Sequence, residues 1–489
     1  MISDKLQKVR KFESEYLQNI DADIRPSFHL TGAVGWINDP NGFSLYKDEY
    51  HLFYQSHPYT RTWGPMHWGH VKTKDFVRWE RLDAAMAPDE SFDDQGCFSG
   101  SAMELEDGRH LLMYTGVSMG NGYLLQQQCI AFGDGVNYEK YANNPVVSTA
   151  DLPDNIDIRD FRDPKIWKEN DTYYMVAGAR TLESDGVILL YSSADLVHWT
   201  YEGVLDASRG QYGRMWECPD FFEMDGKRVL IFSPCEMNSI GLEFHPGHNT
   251  AVAVGHCDGA LKNFKRETIQ SVDYGLDFYA PQTLAAKDGR RIMVAWMQNW
   301  VSQMCRAEGI DFFGQMTLPR EICLKNGRLY QQPVREIEAY RKNHVFYNNV
   351  YVRGETSLNN ISGRCIDLII KVRPVHEGSY QKFTVNLAMD GENRTSFRYN
   401  PLKQTVRIDR TRGGFPYDIV NQREFFVSNR NGEISFRVLM DKYSIELFIN
   451  DGEQAASSVI YTRQSADSIS FASEGEVIID VDKYDLVVE

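Results

Sequence analysis

Five times between residues 47 and 297 the chain repeats one short pattern, a polar turn that opens onto a run of apolar and aromatic residues. The runs are KDEYHLFYQS from 47, EDGRHLLMYTG from 106, NDTYYMVAGA from 170, MDGKRVLIFSP from 224 and KDGRRIMVAWM from 287. Aligned on Asp48, Asp107, Asp171, Asp225 and Asp288, the turns fall roughly 54 to 64 residues apart, room for four strands and their loops. A second pattern, an acidic turn leading to Val-x-Trp, recurs as KDFVRWE from 74 and ADLVHWT from 194. One turn followed by one strand is common in any β protein, but five in order at near-constant spacing predict a five-bladed β-propeller over residues 26–333. Helical periodicity is confined to residues 1–25, where Leu6, Val9, Phe12, Tyr16, Leu17 and Ile20 lay one apolar stripe along a helix before Pro26. VREIEAYRKN at 334–343 reads as a short helical linker. After it, alternating runs such as CIDLIIKVRP, KFTVNLAMDG and YSIELFINDG predict a β-sandwich over 344–489. The expected fold class is all-β.

Charge and cysteine usage narrow the partners. The 52 basic and 68 acidic residues leave a net charge of -16, which disfavours nucleic acid and anionic membrane and favours a neutral small molecule. Eight cysteines with no CxxC pair predict neither a disulfide framework nor a zinc site, and reduced thiols in a cytoplasm are the simplest expectation. The first residues carry charges throughout and no apolar h-region, and nowhere does the chain approach 18 consecutive apolar residues, so neither export signal nor membrane span is expected. Monomer and homodimer remain open.

In a propeller the strand before each repeated turn is the innermost of its blade, so residues at matching offsets converge on the axis. Counting back eight or nine positions from the aligned aspartates reaches Asp39, Ser99 beside Phe98, Asp163, Glu217 and Tyr279. A single Asp before Pro is ordinarily a turn residue. Three acids at equivalent offsets are harder to explain that way, because carboxylates gathered in one mouth repel one another and lose hydration. Such a cluster, with no cofactor and no metal expected, points to glycosidic bond hydrolysis, one carboxylate attacking or activating water and another donating a proton. The motifs of other chemistries, G-x-S-x-G, a P-loop, GxGxxG and H-E-x-x-H, do not occur. His67 and His70 in MHWGH read as structural or substrate-facing, and the tail IDVDKYD lacks the glycine of a calcium loop.

WINDPNG, WGPMHWGH, FSGSA, FRDPK, MWECPDFF, YGLDFYAPQ and WMQNW, in that order, resemble glycoside hydrolase family 32, the invertases, sucrose-6-phosphate hydrolases and fructan hydrolases. The resemblance covers about residues 26–325, and YSIELFINDGE is similar to the family's C-terminal sandwich. It implies a five-bladed propeller followed by a sandwich, with Asp39 as nucleophile, Glu217 as acid/base and Asp163 as the acid that holds fructose hydroxyls and stabilises the transition state. It further implies substrate contacts from Trp36, Asn38, Gln55, Trp63, Phe98, Ser99, Arg162, Tyr279 and Trp300. The apolar company of Glu217 leads one to expect a raised pKa, and Arg162 beside Asp163 an ionised Asp163. Retention of configuration implies carboxyl groups of Asp39 and Glu217 about 5 Å apart. The activity implied is that of a retaining beta-fructofuranosidase acting on sucrose and short fructooligosaccharides. Sucrose-6-phosphate hydrolysis or fructosyl transfer is the alternative, with Arg61 and Arg214 as candidate phosphate contacts. A non-catalytic fructan-binding propeller is the reading from a different class.

Overall fold

A computed structural model describes the chain except residues 1, 121, 304, 306, 308, 416–418, 429 and 489 and the side chain of residue 22. Five sheets surround an axis, and each of the five repeated turns joins the first strand of a sheet to its second. The first strands are Gly35–Tyr46, Gly96–Glu104, Ile156–Glu169, Met215–Met224 and Tyr279–Ala285. Each packs on the first strand of the next blade, and the last packs on the first, closing the ring. The short strand Phe312–Phe313, from within blade five, adds in parallel to the start of Gly35–Tyr46. The two Val-x-Trp segments form the same turn, in which Thr73 and Asp75, or Ser193 and Asp195, accept four backbone N–H bonds. No helix among the described residues is long and apolar enough to cross a membrane.

Every innermost strand carries a bulge at one height. The register slips at Asn38–Asp39, Ser99, Asp163–Pro164, Cys218–Pro219 and Ala280–Pro281. Proline lacks the N–H a continuous ladder needs; Pro164, Pro219 and Pro281 lie within three of these breaks and Pro40 directly after a fourth, and the extra residues turn side chains toward the axis. Asp163, Cys218 and Ala280 take positive φ values of 64°, 48° and 52°, strained for residues with a Cβ. Just past the bulges the axis is plugged by contacts between blades, two of which, Gln282 to Gly100 and Lys165 to Thr283, join blades that are not neighbours in the ring. Gln282 Nε2 donates to the Gly100 carbonyl at 2.7 Å, and Lys165 Nζ reaches both the Thr283 carbonyl at 2.8 Å and Asp220 at 3.2 Å. The central cavity is therefore blind, open only on the side of the strand starts.

The N-terminal helix spans Asp4–Leu17, capped by Ser3, and buries Leu6 and Val9 against Ala84 and Ala87 of blade one. It ends nine residues before Pro26. Residues 335–340 form a 3-10 helix, and the strand Arg341–Thr356 starts inside the segment expected to be helical. No side chain caps that 3-10 helix, and the alternating residues that follow pair along Ser468–Leu486 instead. This long last strand pairs with Tyr380–Met389 through its first half and with Ile366–Pro374 through its second, joining the two layers of the sandwich around one apolar core.

Buried charges fasten the sandwich to the propeller. Arg320, fully buried, donates to Glu446 at 2.9 and 2.5 Å, to Asp273 at 2.9 Å and to Ser457 at 2.6 Å. His29 lies between Asp441 and Glu446, 2.9 Å from each. Burial alone lowers the basicity of His29, but its hydrogen bonds to the two carboxylates win and raise it to about 9. A histidine more basic folded than unfolded lends stability that is whole below its unfolded pKa of about 6.5 and is lost as pH rises through about 9. The loss expected between those limits is about 3 kcal/mol. Melting temperatures measured from pH 6 to 9.5 should fall more steeply for the wild type than for His29→Gln; equal slopes would remove His29 from the linkage.

Candidate active site

All five blades contribute to the blind cavity. Asp39, from blade one, is nearly buried; its Oδ2 accepts from Ser99 Oγ at 2.6 Å, Gln55 Nε2 at 3.2 Å and Cys218 Sγ at 3.5 Å. Its Oδ1 accepts from Asn38 Nδ2 at 3.1 Å, and Asn38 is held in turn by the Trp36 indole N–H at 2.8 Å. Burial, helped by the charge of Glu217, raises the Asp39 pKa, while the bonds from Ser99, Asn38 and Cys218 pull it back. Asp163, from blade three, receives the Cys218 backbone N–H at 2.9 Å, and its own N–H donates to Thr115 Oγ1 at 2.9 Å. Glu217, from blade four, takes two N–H bonds from Arg162 on Oε1, at 3.0 and 2.7 Å. Its Oε2 accepts from the Tyr279 hydroxyl and from the Cys235 thiol at 3.0 Å.

Two sequence expectations reverse here. Arg162 pairs with Glu217 rather than with its neighbour Asp163, because Arg162 lies in register just before its bulge, as Glu217 does in its own strand, whereas Asp163 lies within the bulge. Burial pushes Glu217 up, but Arg162, Cys235 and Tyr279 outweigh it and hold the carboxyl at about 2. Burial, with the charges of Glu217 and Asp39, raises Asp163 to about 7 against the pull of Arg162. The acids are also not strictly equivalent by position. Asp39, Ser99 and Asp163 lie within their bulges, whereas Glu217 and Tyr279 precede theirs, in register with Phe98 and Arg162.

The aromatic residues divide into wall and support. Trp63 is 43% exposed and meets Phe98 edge-on at 5.8 Å. Trp300 is partly buried against Trp36 and Trp296. Trp36 is 0% exposed and stacks on Phe313 at 4.6 Å, so it supports Asn38 and offers no face to the cavity. Gln55 is buried on Asp39 rather than exposed. Cys218 and Cys235 were not singled out by sequence; Cys218 follows Glu217, and Cys235 lies opposite Met215 on the neighbouring strand, so register was the signal for it. Asp39, Asp163 and Cys218 bring one possible metal-ligand atom each within 4.8 Å of one another. Burial holds the Cys218 thiol well above its usual pKa, and its S–H and N–H both donate to these acids, so the set fits hydrogen-bonded carboxylates better than a cation. His67 is bonded to the Pro65 carbonyl at 3.1 Å, and His70 stacks on Phe53 at 4.0 Å beside His51. All eight cysteines are free.

Residues 29–333 match the Glycosyl hydrolases family 32 N-terminal domain and residues 336–486 the Glycosyl hydrolases family 32 C terminal. Sucrose-6-phosphate hydrolase of Escherichia coli is 36% identical over 472 residues, covering 93% of each chain. Raffinose invertase of Escherichia coli is 36% identical over 462 residues, again covering 93% of each. Among solved structures, the GH32 beta-fructofuranosidase of Bombyx mori superposes with a TM-score of 0.85 at 33% identity, covering 99% of this chain and 98% of that one.

Asp163 makes the cavity costly to the fold. An acid whose folded pKa is raised holds a proton that the unfolded chain releases, so stability falls as pH rises from about 4 to about 7. Asn at this position keeps the acceptor for the Cys218 N–H and carries no proton. Asp163→Asn is thus expected to melt above the wild type at pH 8 and close to it at pH 4; a difference independent of pH would contradict the burial of this charge.

Proposed function

The chain belongs to glycoside hydrolase family 32, and on that premise we propose that it is a retaining beta-fructofuranosidase, cleaving the terminal fructosyl unit of sucrose and short fructooligosaccharides. The observation that carries this reading is the gathering of three carboxylates from three blades, each in a different set of hydrogen bonds. Asp39 is the nucleophile: four donors fix it at the cavity floor, and attack on the anomeric carbon forms a fructosyl-enzyme intermediate. Glu217 is the acid/base, delivering a proton to the departing glucosyl oxygen and then activating water. Asp163 and Arg162 bind fructose hydroxyls, with Asn38, Gln55, Ser99 and Tyr279 around them and Trp63, Phe98 and Trp300 forming the upper wall. A retaining mechanism asks for about 5 Å between the Asp39 and Glu217 carboxyl groups.

Glu217 is held low and Asp163 is raised, so one proton resides on Asp163 below about 7 and the three acids titrate as one group. When sugar hydroxyls engage Arg162 and Asp163, the guanidinium loosens its hold on Glu217, and the proton moves to where the leaving oxygen needs it. The proton is lost above about 7, so kcat/KM should decline as pH rises through that value.

Relatives named sucrose-6-phosphate hydrolase give a second reading, hydrolysis of the phosphorylated disaccharide. A variant of the Bombyx mori enzyme solved with sucrose supports a sucrose-sized ligand. Arg61 is spent on the Ile310 carbonyl at 2.7 Å, and Arg214 lies 3.8 Å from Glu236, so only Arg214 could turn to a phosphate without losing a close bond. We assign catalysis to residues 26–333 and support to 344–489, and eight free thiols suit a cytoplasmic location.

Asp39→Asn and Glu217→Gln should each reduce sucrose hydrolysis by several orders of magnitude with melting behaviour preserved. Near-normal activity in either would remove the role assigned to it. Hexoses released from sucrose, sucrose 6-phosphate, 1-kestose and inulin, with products screened for new oligosaccharides, separate the hydrolase readings from fructosyl transfer.

A further inference from the structure

On the outer flank of blade one, a cleft of about 570 Å³ is lined by five cationic side chains, Arg25, Lys72, Lys74, Arg78 and Arg81, against three carboxylates. None of the residues of the active-site cavity lines it. In a chain of net charge -16 a positive cleft runs against the overall balance. Its carboxylates are already engaged: Glu49 by Lys72 at 2.9 Å and Lys74 at 3.4 Å, Glu80 by Lys72 at 3.5 Å, and Asp75 by Arg78 at 3.5 Å.

Arg25 and Arg81 pair with none of these carboxylates, and both lie near the Tyr54 hydroxyl, a group that does not line the cleft. Both donate to one hydroxyl, Thr31 Oγ1, Arg25 at 2.8 Å and Arg81 at 3.4 Å. The other bonds of Arg25 go to the carbonyls of Gly32 at 2.8 Å and Ala33 at 2.5 Å, dipoles that carry no net charge. Arg81 Nη1 is buried without a hydrogen-bond partner among the described residues. Burial, and then the charge of Arg81, lowers Arg25 to about 10. From the helix side Glu13 faces Arg81, together with Asp83 and Arg10, but burial raises Glu13 to about 7, so its compensation is partial near neutrality. Two cations that line the cleft and converge on one hydroxyl form a fork that matches the oxygens of a tetrahedral anion.

We propose that this cleft is a second ligand site, which takes a phosphate group between Arg25 and Arg81 with the Thr31 hydroxyl beside it. Inorganic phosphate and a sugar phosphate share that chemistry. Titration calorimetry on the full chain near neutral pH, at constant ionic strength, should show one site for phosphate and none for chloride. Arg81→Gln should weaken phosphate binding at least about tenfold while sucrose hydrolysis stays unchanged. Thr31→Ala, which leaves both charges in place, should weaken it less and serves as the second variant should Arg81→Gln fail to fold. Tighter binding of glucose 6-phosphate than of phosphate identifies a sugar phosphate as the ligand, and equal binding identifies the free anion. Heats no larger than those of chloride, or equal affinity in the wild type and both variants, overturn the site.

Discussion

Arg162 places a guanidinium deep among three carboxylates, and the chemistry of the cavity follows from where that one charge is spent. Taking an ion out of water costs several kcal/mol, recovered only where geometry is good and remaining donors are satisfied. Arg162 meets both conditions, with two N–H bonds to Glu217 Oε1 and the rest of its fork on Asp160 at 2.6 Å and Gln126 at 3.2 Å. With the guanidinium bonded to Glu217, its pull on Asp163 is outweighed by burial and by the charges of Glu217 and Asp39, which raise that acid, while Asp39 accepts hydrogen bonds from neutral donors alone. Three chemically similar acids thereby acquire three different characters from one unequal partition, the condition under which carboxylates divide the roles of nucleophile, proton donor and binder.

That partition depends on backbone geometry. In a regular strand Arg162 and Asp163 would point to opposite faces, and only one of them could reach the axis. The bulge brings both into the cavity at different heights, and a positive φ at Asp163 and at Cys218 is the strain that accompanies it. The cost is bounded by the layer beneath, where Lys165, Asp220, Gln282 and Thr283 close the axis with bonds between blades. A plugged axis fixes the bulges from below and leaves the acids facing a single opening.

The fold was legible because a propeller repeats itself, so the turn aspartates could be aligned without knowing any contact. The acids were legible for the same reason, since equal offsets in equal blades imply a common axis. What sequence spacing does not carry is strand register. Adjacency put Arg162 with Asp163, and only the slipped pairing shows that it faces Glu217. Cys235 lies eighteen residues from Glu217 in the chain and is its hydrogen-bond partner across a hairpin. Trp36 entered as a substrate contact only through the family resemblance, and its ring is covered by Phe313, a residue from a strand added after the repeat pattern has ended. In the sandwich, strands such as Arg394–Asn400 and Thr405–Arg412 escaped notice because polar residues dominate them; their apolar members alternate only once the pairing is known.

The sandwich is also closer to the chemistry than its distance in sequence suggests. Arg410, buried in the sandwich, pairs with Asp277 of the propeller. Asp277 accepts from Asn299 Nδ2 at 2.5 Å, and the next residue, Trp300, stacks on Trp36. Trp36 donates its indole N–H to Asn38, whose amide donates to Asp39. Apart from the peptide bond between Asn299 and Trp300, every link is a hydrogen bond, ion pair or ring contact between buried or partly buried groups, where small displacements are costly because packing is dense. A guanidinium held by the second domain therefore steadies the carboxylate at the floor of the first. This continuity explains why buried charges such as Arg320 and Arg410, weak contributors to net stability after desolvation, occupy the junction between the domains: they fix orientation, which apolar contact alone specifies loosely.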